Sequence, residues 1–101
     1  MKSNPREIYL IAGLVALPGK EHELREVLRG LLKPTSSEPG CRRYDMYASE
    51  QQGRFFAIET WNSRQALDEH MQTAHFKAAA VRFAELLQGT LAVDILEDIT
   101  E

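Results

Sequence analysis

From Arg54 to Trp61 the chain reads RFFAIETW. Phe55, Ala57, Glu59 and Trp61 point to one side of an extended strand, and Phe56, Ile58 and Thr60 to the other. Bulky apolar groups on both faces need cover on both, so this strand belongs in the middle of a sheet. At Asn62-Ser63 the apolar spacing changes from two to about 3.6, which places Ala66, Leu67, His70 and Met71 on one side of a helix. Upstream, Glu7 to Leu17 gives a second two-faced strand, with Ile8, Leu10, Ala12, Leu14 and Ala16 opposed to Tyr9, Ile11, Gly13, Val15 and Leu17. Pro18-Gly19 ends it. Lys20 to Lys33 is a helix with the stripe Leu24, Val27, Leu28, Leu31 and Leu32; Pro34 stops it, and Thr35 to Gly40 is a polar loop.

Cys41 to Ser49 reads as a third strand, with Tyr44, Met46 and Ala48 on one face and Cys41, Arg43, Asp45 and Tyr47 on the other. A short loop around Gln51-Gln52-Gly53 makes it a hairpin with the central strand. If Glu50 pairs with Arg54, Asp45 faces Glu59, an unfavourable like-charge pair. Either the register is shifted or bulged, or Glu59 sits in an unusual environment. Thr73 caps a further helix with the stripe Phe76, Ala80, Phe83 and Leu87, supported by Ala79 and Leu86. Gly89 ends that helix, and Leu91 to Leu96 alternates as a last strand.

The order is β-α-β-β-α-β, an α+β ferredoxin-like arrangement with an antiparallel sheet whose first and third strands are central. Helices on one face leave the other bare, with an apolar patch larger than a monomer tolerates. A two-fold homodimer packed sheet against sheet covers that face, and a ligand cavity is then expected between the sheet and the helices.

A chain of 101 residues forms one domain, with its core at about residues 7–97. A net charge of −3 without a basic cluster argues against a nucleic-acid partner. The longest apolar run, Ile8 to Leu17, is roughly half a membrane span and lacks the flanks of a signal peptide, so no membrane partner is expected. Cys41 is the single cysteine, which excludes an internal disulfide and suits a reducing cytoplasm. With no second cysteine and no adjacent histidine, it makes a poor nucleophile.

The corner that follows the central strand delivers a carboxylate, an indole and an imidazole together. Trp61 is either a core residue or an aromatic wall whose N–H bonds a substrate oxygen. His70 is a candidate base, since an imidazole titrates near 6.5 (about neutral), or else a hydrogen-bonded core residue. Glu59 is anomalous in an apolar strand: it could orient His70, act as a base, or pair with Arg43 or Arg82, the salt bridge being the simplest of the three. His75 reads as a hydrogen-bonding residue at a helix start, and His22 as a solvated surface residue. No dinucleotide fingerprint is present, and three histidines without a neighbouring ligand give no recognisable metal spacing.

The segments EPGCRRYDMY, RFFAIETWNSRQALDEH and TAHF, in this order, resemble the antibiotic biosynthesis monooxygenase (ABM) domain family, in particular its small quinol-monooxygenase-like bacterial members. The resemblance runs from Ile8 to Ile95. It implies a dimeric α+β barrel that oxidises a phenolic or quinol-like aromatic with O2, using neither metal nor flavin. His70, Trp61 and Glu59 are then the catalytic candidates, with Tyr44, Arg43, His75, Phe76 and Phe83 lining the substrate. Proteins of this fold that degrade haem carry an asparagine on the first strand, where this chain reads YLIAGLVAL. Isomerisation of a small phosphorylated signal molecule, with Arg43 as phosphate anchor, and non-catalytic binding of a small molecule are the alternatives.

Overall fold

A computed structural model describes residues 6–100 of the chain. The elements are β1 (Ile8–Val15), α1 (Glu21–Ser36), β2 (Cys41–Ala48), β3 (Arg54–Trp61), α2 (Arg64–His70), α3 (Ala74–Leu86) and β4 (Ala92–Leu96). The strands form one sheet in the order β2-β3-β1-β4, every neighbouring pair antiparallel. This is the expected ferredoxin-like sheet with β1 and β3 in the middle. The second helical layer is split, because Met71 to Thr73 turn the chain between α2 and α3.

Helices cover one face only. Leu10, Ala12 and Leu14 of β1 and Phe55, Ala57, Glu59 and Trp61 of β3 are buried beneath them. They pack against Leu24, Leu28 and Leu31 of α1 and Ala79, Phe83 and Leu86 of α3. Each fully buried large side chain, Trp61 and Leu24 among them, contributes about 1.5–3 kcal/mol relative to exposure. On α3 the buried line runs through Ala79, while Ala80 is exposed. Met71 likewise leaves the α2 stripe and is exposed.

Two boundaries differ from the sequence reading. The helix expected to stop at Pro34 continues to Ser36 with Pro34 inside it. In the last turn a proline sacrifices one intrahelical bond, and the Ser37 N–H and hydroxyl both reach the Lys33 carbonyl, at 3.2 and 2.9 Å. The β2–β3 hairpin is slipped by one residue and also bulged: Ala48 pairs with Phe55, Tyr44 with Glu59 and Asp45 with Ile58, with a shift between Cys41 and Arg43. A one-residue slip sends every side chain of a strand to the opposite face of its partner. Asp45 therefore never meets Glu59; it accepts a 2.6 Å bond from Arg43 on the uncovered face. The bulge sends Arg42 out to Glu7, 2.8 Å away, and brings Cys41 opposite Trp61, so Cys41 joins the covered face.

The other face carries Tyr9 and Ile11 of β1, Phe56, Ile58 and Thr60 of β3, and Tyr47 of β2, which is 52% exposed. Edge strand β4 extends it with Leu96, opposite Tyr9, whereas Val93 and Ile95, opposite Ala12 and Leu10, lie on the helix side; all three are near half exposure at the sheet edge. No described helix is long and apolar enough to cross a membrane.

Candidate functional site

Three pieces of chain meet beside the C-terminal end of β3. The first is the turn Glu38-Pro39-Gly40 between α1 and β2. Glu38 N–H bonds the Thr35 carbonyl at 3.0 Å, and the Gly40 carbonyl accepts the Asn62 N–H at 2.9 Å, tying this turn to the end of β3. Gly40 sits so close under α2 that a Cβ there would overlap the Ala66 side chain. The second piece is α2, capped by the Ser63 hydroxyl, which accepts the Ala66 N–H at 3.1 Å, and ending at His70. The third is the start of α3. Thr73 Oγ1 accepts the Phe76 N–H at 3.2 Å as the predicted cap and donates to the His70 carbonyl at 2.7 Å. That turn sets His70 and His75 side by side, their ring centroids 6.0 Å apart.

Both imidazoles converge on one atom. His70 Nδ1 and His75 Nε2 each lie 2.7 Å from Glu38 Oε2. An ionised carboxylate only accepts, so each nitrogen donates its N–H to that oxygen. In its neutral form His70 thus keeps Nε2 unprotonated, and Nε2 has no hydrogen-bond partner among the described residues. His70 is 2% exposed as a whole residue. Trp61, Phe76 and Tyr44 surround it at centroid distances of 4.6, 5.0 and 5.9 Å.

Glu59 pairs with neither Arg43 nor Arg82: its Oε1 accepts the Trp61 indole N–H at 2.9 Å. Arg82 instead bonds Glu23 at 3.0 Å and pairs with Glu85. Nor does Glu59 hold His70 by a hydrogen bond; Glu38 does. Flanked by Leu10 on β1 and Tyr44 on β2, the Glu59 carboxyl is raised above the ordinary carboxylate value by burial. The Trp61 N–H and the charge on His70 oppose that rise. Burial, reinforced by the Glu59 charge, also pushes the Tyr44 phenol up, keeping it protonated. The Cys41 thiol is pushed up to about 11 by burial and by the charges of Glu38 and Glu59, which agrees with its dismissal as a nucleophile.

Of the residues expected at the site, His70, Trp61, Glu59, Tyr44, His75 and Phe76 come together. Two do not. Arg43 lies on the uncovered face, held by Asp45, and Phe83 lies further along α3 in the core, beside a cleft with Gly89, Thr90 and Leu91. The space expected to be a cavity is packed with the rings around His70. None of the clefts of 210–350 Å³ is lined by His70, Trp61, Tyr44, His75 or Phe76; one of about 270 Å³, with Tyr9, Arg43, Thr60 and Leu96, reaches Glu59.

No motif or period in the sequence marks Glu38 as functional; its position immediately before Pro-Gly marks only a turn. Two of the three histidines, His70 and His75, form with Glu38 a cluster whose candidate ligand atoms all lie within 4.8 Å of one another.

The family model described as antibiotic biosynthesis monooxygenase matches residues 8–82. Rv0793 of Mycobacterium tuberculosis, which carries a provisional monooxygenase name, is 35% identical over 94 residues, covering 93% of either chain. The solved structure of Rv0793 superimposes with a TM-score of 0.88 over 94% of this chain and 97% of its own. The crystal structure of PA3566 from Pseudomonas aeruginosa gives 0.89 at 31% identity, over 98% of this chain and 100% of its own. YcnE of Bacillus subtilis, also provisionally named a monooxygenase, is 29% identical over 87 residues, 85% of this chain and 92% of its own. Matched from β1 into α3 by the family model and over nearly its full length by these relatives, the chain belongs to the antibiotic biosynthesis monooxygenase family.

Proposed function

We propose that this protein is a cofactor-independent monooxygenase of a small phenolic or quinol-like aromatic, working as a homodimer. The observation that carries the reading is the Glu38–His70 pair. A buried imidazole has its Nδ1–H anchored on a carboxylate, leaving an unpartnered basic nitrogen among three aromatic rings. Phe76 is the least buried of those rings, and a flat substrate enters by displacing it and stacking on Trp61.

His70 Nε2 takes the phenolic proton, and the electron-rich anion passes one electron to O2. Recombination forms a C–O bond to the ring and gives a hydroperoxide. Loss of the remaining C–H proton and cleavage of the O–O bond release water and leave a carbonyl. One oxygen atom stays on the product, the other leaves as water, and all the electrons come from the substrate. Glu38 acts on His70 as a positioning residue, fixing its tautomer and favouring the imidazolium once formed. The protein's share is deprotonation, orientation and exclusion of water. Names of the relatives support a monooxygenase, and the apolar uncovered face supports a dimer, because exposed patches of this kind mark interaction surfaces. Arg43, paired with Asp45 on the other side of the sheet from His70, is poorly placed to anchor a phosphate beside that base.

The experiment is O2 uptake by the purified protein with a panel of quinols, compared with His70→Ala. Turnover by the wild type and its loss in a variant that keeps its assembly state supports the reading. Undiminished turnover in His70→Ala overturns the assignment of the base, and no uptake with any quinol favours a small-molecule binder.

A further inference from the structure

We infer that Glu38, His70 and His75 form a binding site for a borderline divalent cation of the zinc class. Three donor atoms from three separate elements, the α1–β2 turn, the end of α2 and the start of α3, point at one volume, all within 4.8 Å of one another. Imidazole and carboxylate donors bind Zn²⁺ at about 2.0–2.2 Å, which puts neighbouring donors about 3 Å apart. The two nitrogens already stand 2.7 Å from the oxygen they share. Small outward shifts of Glu38 and closure of His75 complete the set. The side chain best able to adjust is also the most open: His75 is 25% exposed, against 12% for Glu38 and 3% for His70. The ion therefore enters from the His75 side.

The rest of the arrangement is built in advance. The His70 ring is wedged between Trp61, Tyr44 and Phe76, and the Thr73 cap holds the turn that carries both histidines. Metal sites owe much of their affinity to such outer support. Two imidazoles and one carboxylate suit Zn²⁺, Co²⁺ or Fe²⁺, with remaining positions left to water, and disfavour Mg²⁺ and Ca²⁺, which prefer all-oxygen sets. Binding involves no redox change. Each neutral imidazole moves its N–H proton to the other ring nitrogen and offers the vacated lone pair, so His70 binds through Nδ1 and keeps its proton on Nε2. A consequence resting on the function proposed above is that the cation removes the base and acts as a reversible inhibitor; binding itself does not depend on that reading.

The test uses the full-length protein after chelator treatment and dialysis. Co²⁺ is titrated while its visible absorption is followed, Zn²⁺ is titrated by calorimetry, and Mg²⁺ is added as a competitor. One ion per chain is expected, with affinity reduced at least about tenfold in Glu38→Gln and in His75→Asn, retained in His22→Asn on the exposed side of α1, and indifferent to Mg²⁺. Absence of saturable binding overturns the site, as does binding that survives His75→Asn or that is lost in His22→Asn. Should Glu38→Gln lose its fold by circular dichroism, His75→Asn alone decides, because its side chain is partly solvated and its loss leaves the Thr73 cap in place.

Discussion

Replacing Glu38 by alanine removes the one oxygen on which two histidines depend, and the size of the effect follows from how each is buried. The His70 side chain is 3% exposed, so water cannot replace the lost acceptor. A buried hydrogen bond to a charged group contributes about 1.5–3 kcal/mol, and leaving its donor unsatisfied costs a similar amount. The His75 side chain is 25% exposed, and water recovers most of its bond, leaving a loss of about 0.5 kcal/mol. The sum is about 2–3 kcal/mol, a fall of roughly 10–20 °C in Tm for a domain of this size. Glu38→Gln keeps an acceptor oxygen without the charge and is expected to lose about half as much. The assay is urea and thermal unfolding at one fixed protein concentration, since the stability of an oligomer depends on concentration. A Glu38→Ala protein within about 0.5 kcal/mol of wild type would show that Oε2 does not hold the two histidines. So would a His75→Ala protein less stable than Glu38→Ala, because then Oε2 is not the hub of the cluster.

Three further outcomes follow from other parts of the molecule. The Glu59 carboxyl is raised above its ordinary value of 4.5, so the folded chain holds its proton to higher pH than the unfolded chain does. Its contribution to stability therefore declines as pH rises from the ordinary carboxylate range through the raised pKa. Glu59→Gln, which preserves an acceptor for the Trp61 indole, should gain stability relative to wild type across that window; a difference that does not vary with pH contradicts the assignment. Gly40→Ala should cost about 1–3 kcal/mol by overpacking against Ala66, and unchanged unfolding midpoints would show that the turn under α2 is looser than described. Ile58→Glu puts a charge in the middle of the uncovered face, and sedimentation should show a monomer where the wild type sediments as a dimer. A wild type that is monomeric at micromolar concentration removes the dimer from the proposal.

Much of the architecture could be read directly. The two-residue alternation of Phe55 to Trp61 and of Ile8 to Ala16 placed β1 and β3 in the centre, because burial on both sides leaves apolar residues at consecutive positions. The Thr73 cap and the meeting of Glu59, Trp61 and His70 at one corner followed from local period and spacing. The hairpin register was less legible: a loop's composition shows where a chain turns, but a slip of one residue alters no local preference and is decided only when the faces pack. That slip exchanged Asp45 for Tyr44 opposite Glu59 and moved Arg43 to the bare face, while the bulge kept Cys41 on the covered one.

The order of residues was thus enough for the strands, the helices, the two central positions in the sheet and the corner where an indole and an imidazole meet. These depend on interactions between near neighbours in the chain. That Glu38, 32 and 37 positions before the two histidines, is their common partner, and that Glu59 bonds Trp61 rather than an arginine, emerges with the packed fold. Such pairings are set by how α1, β2 and α3 pack, and no periodicity along the chain encodes a distance across it.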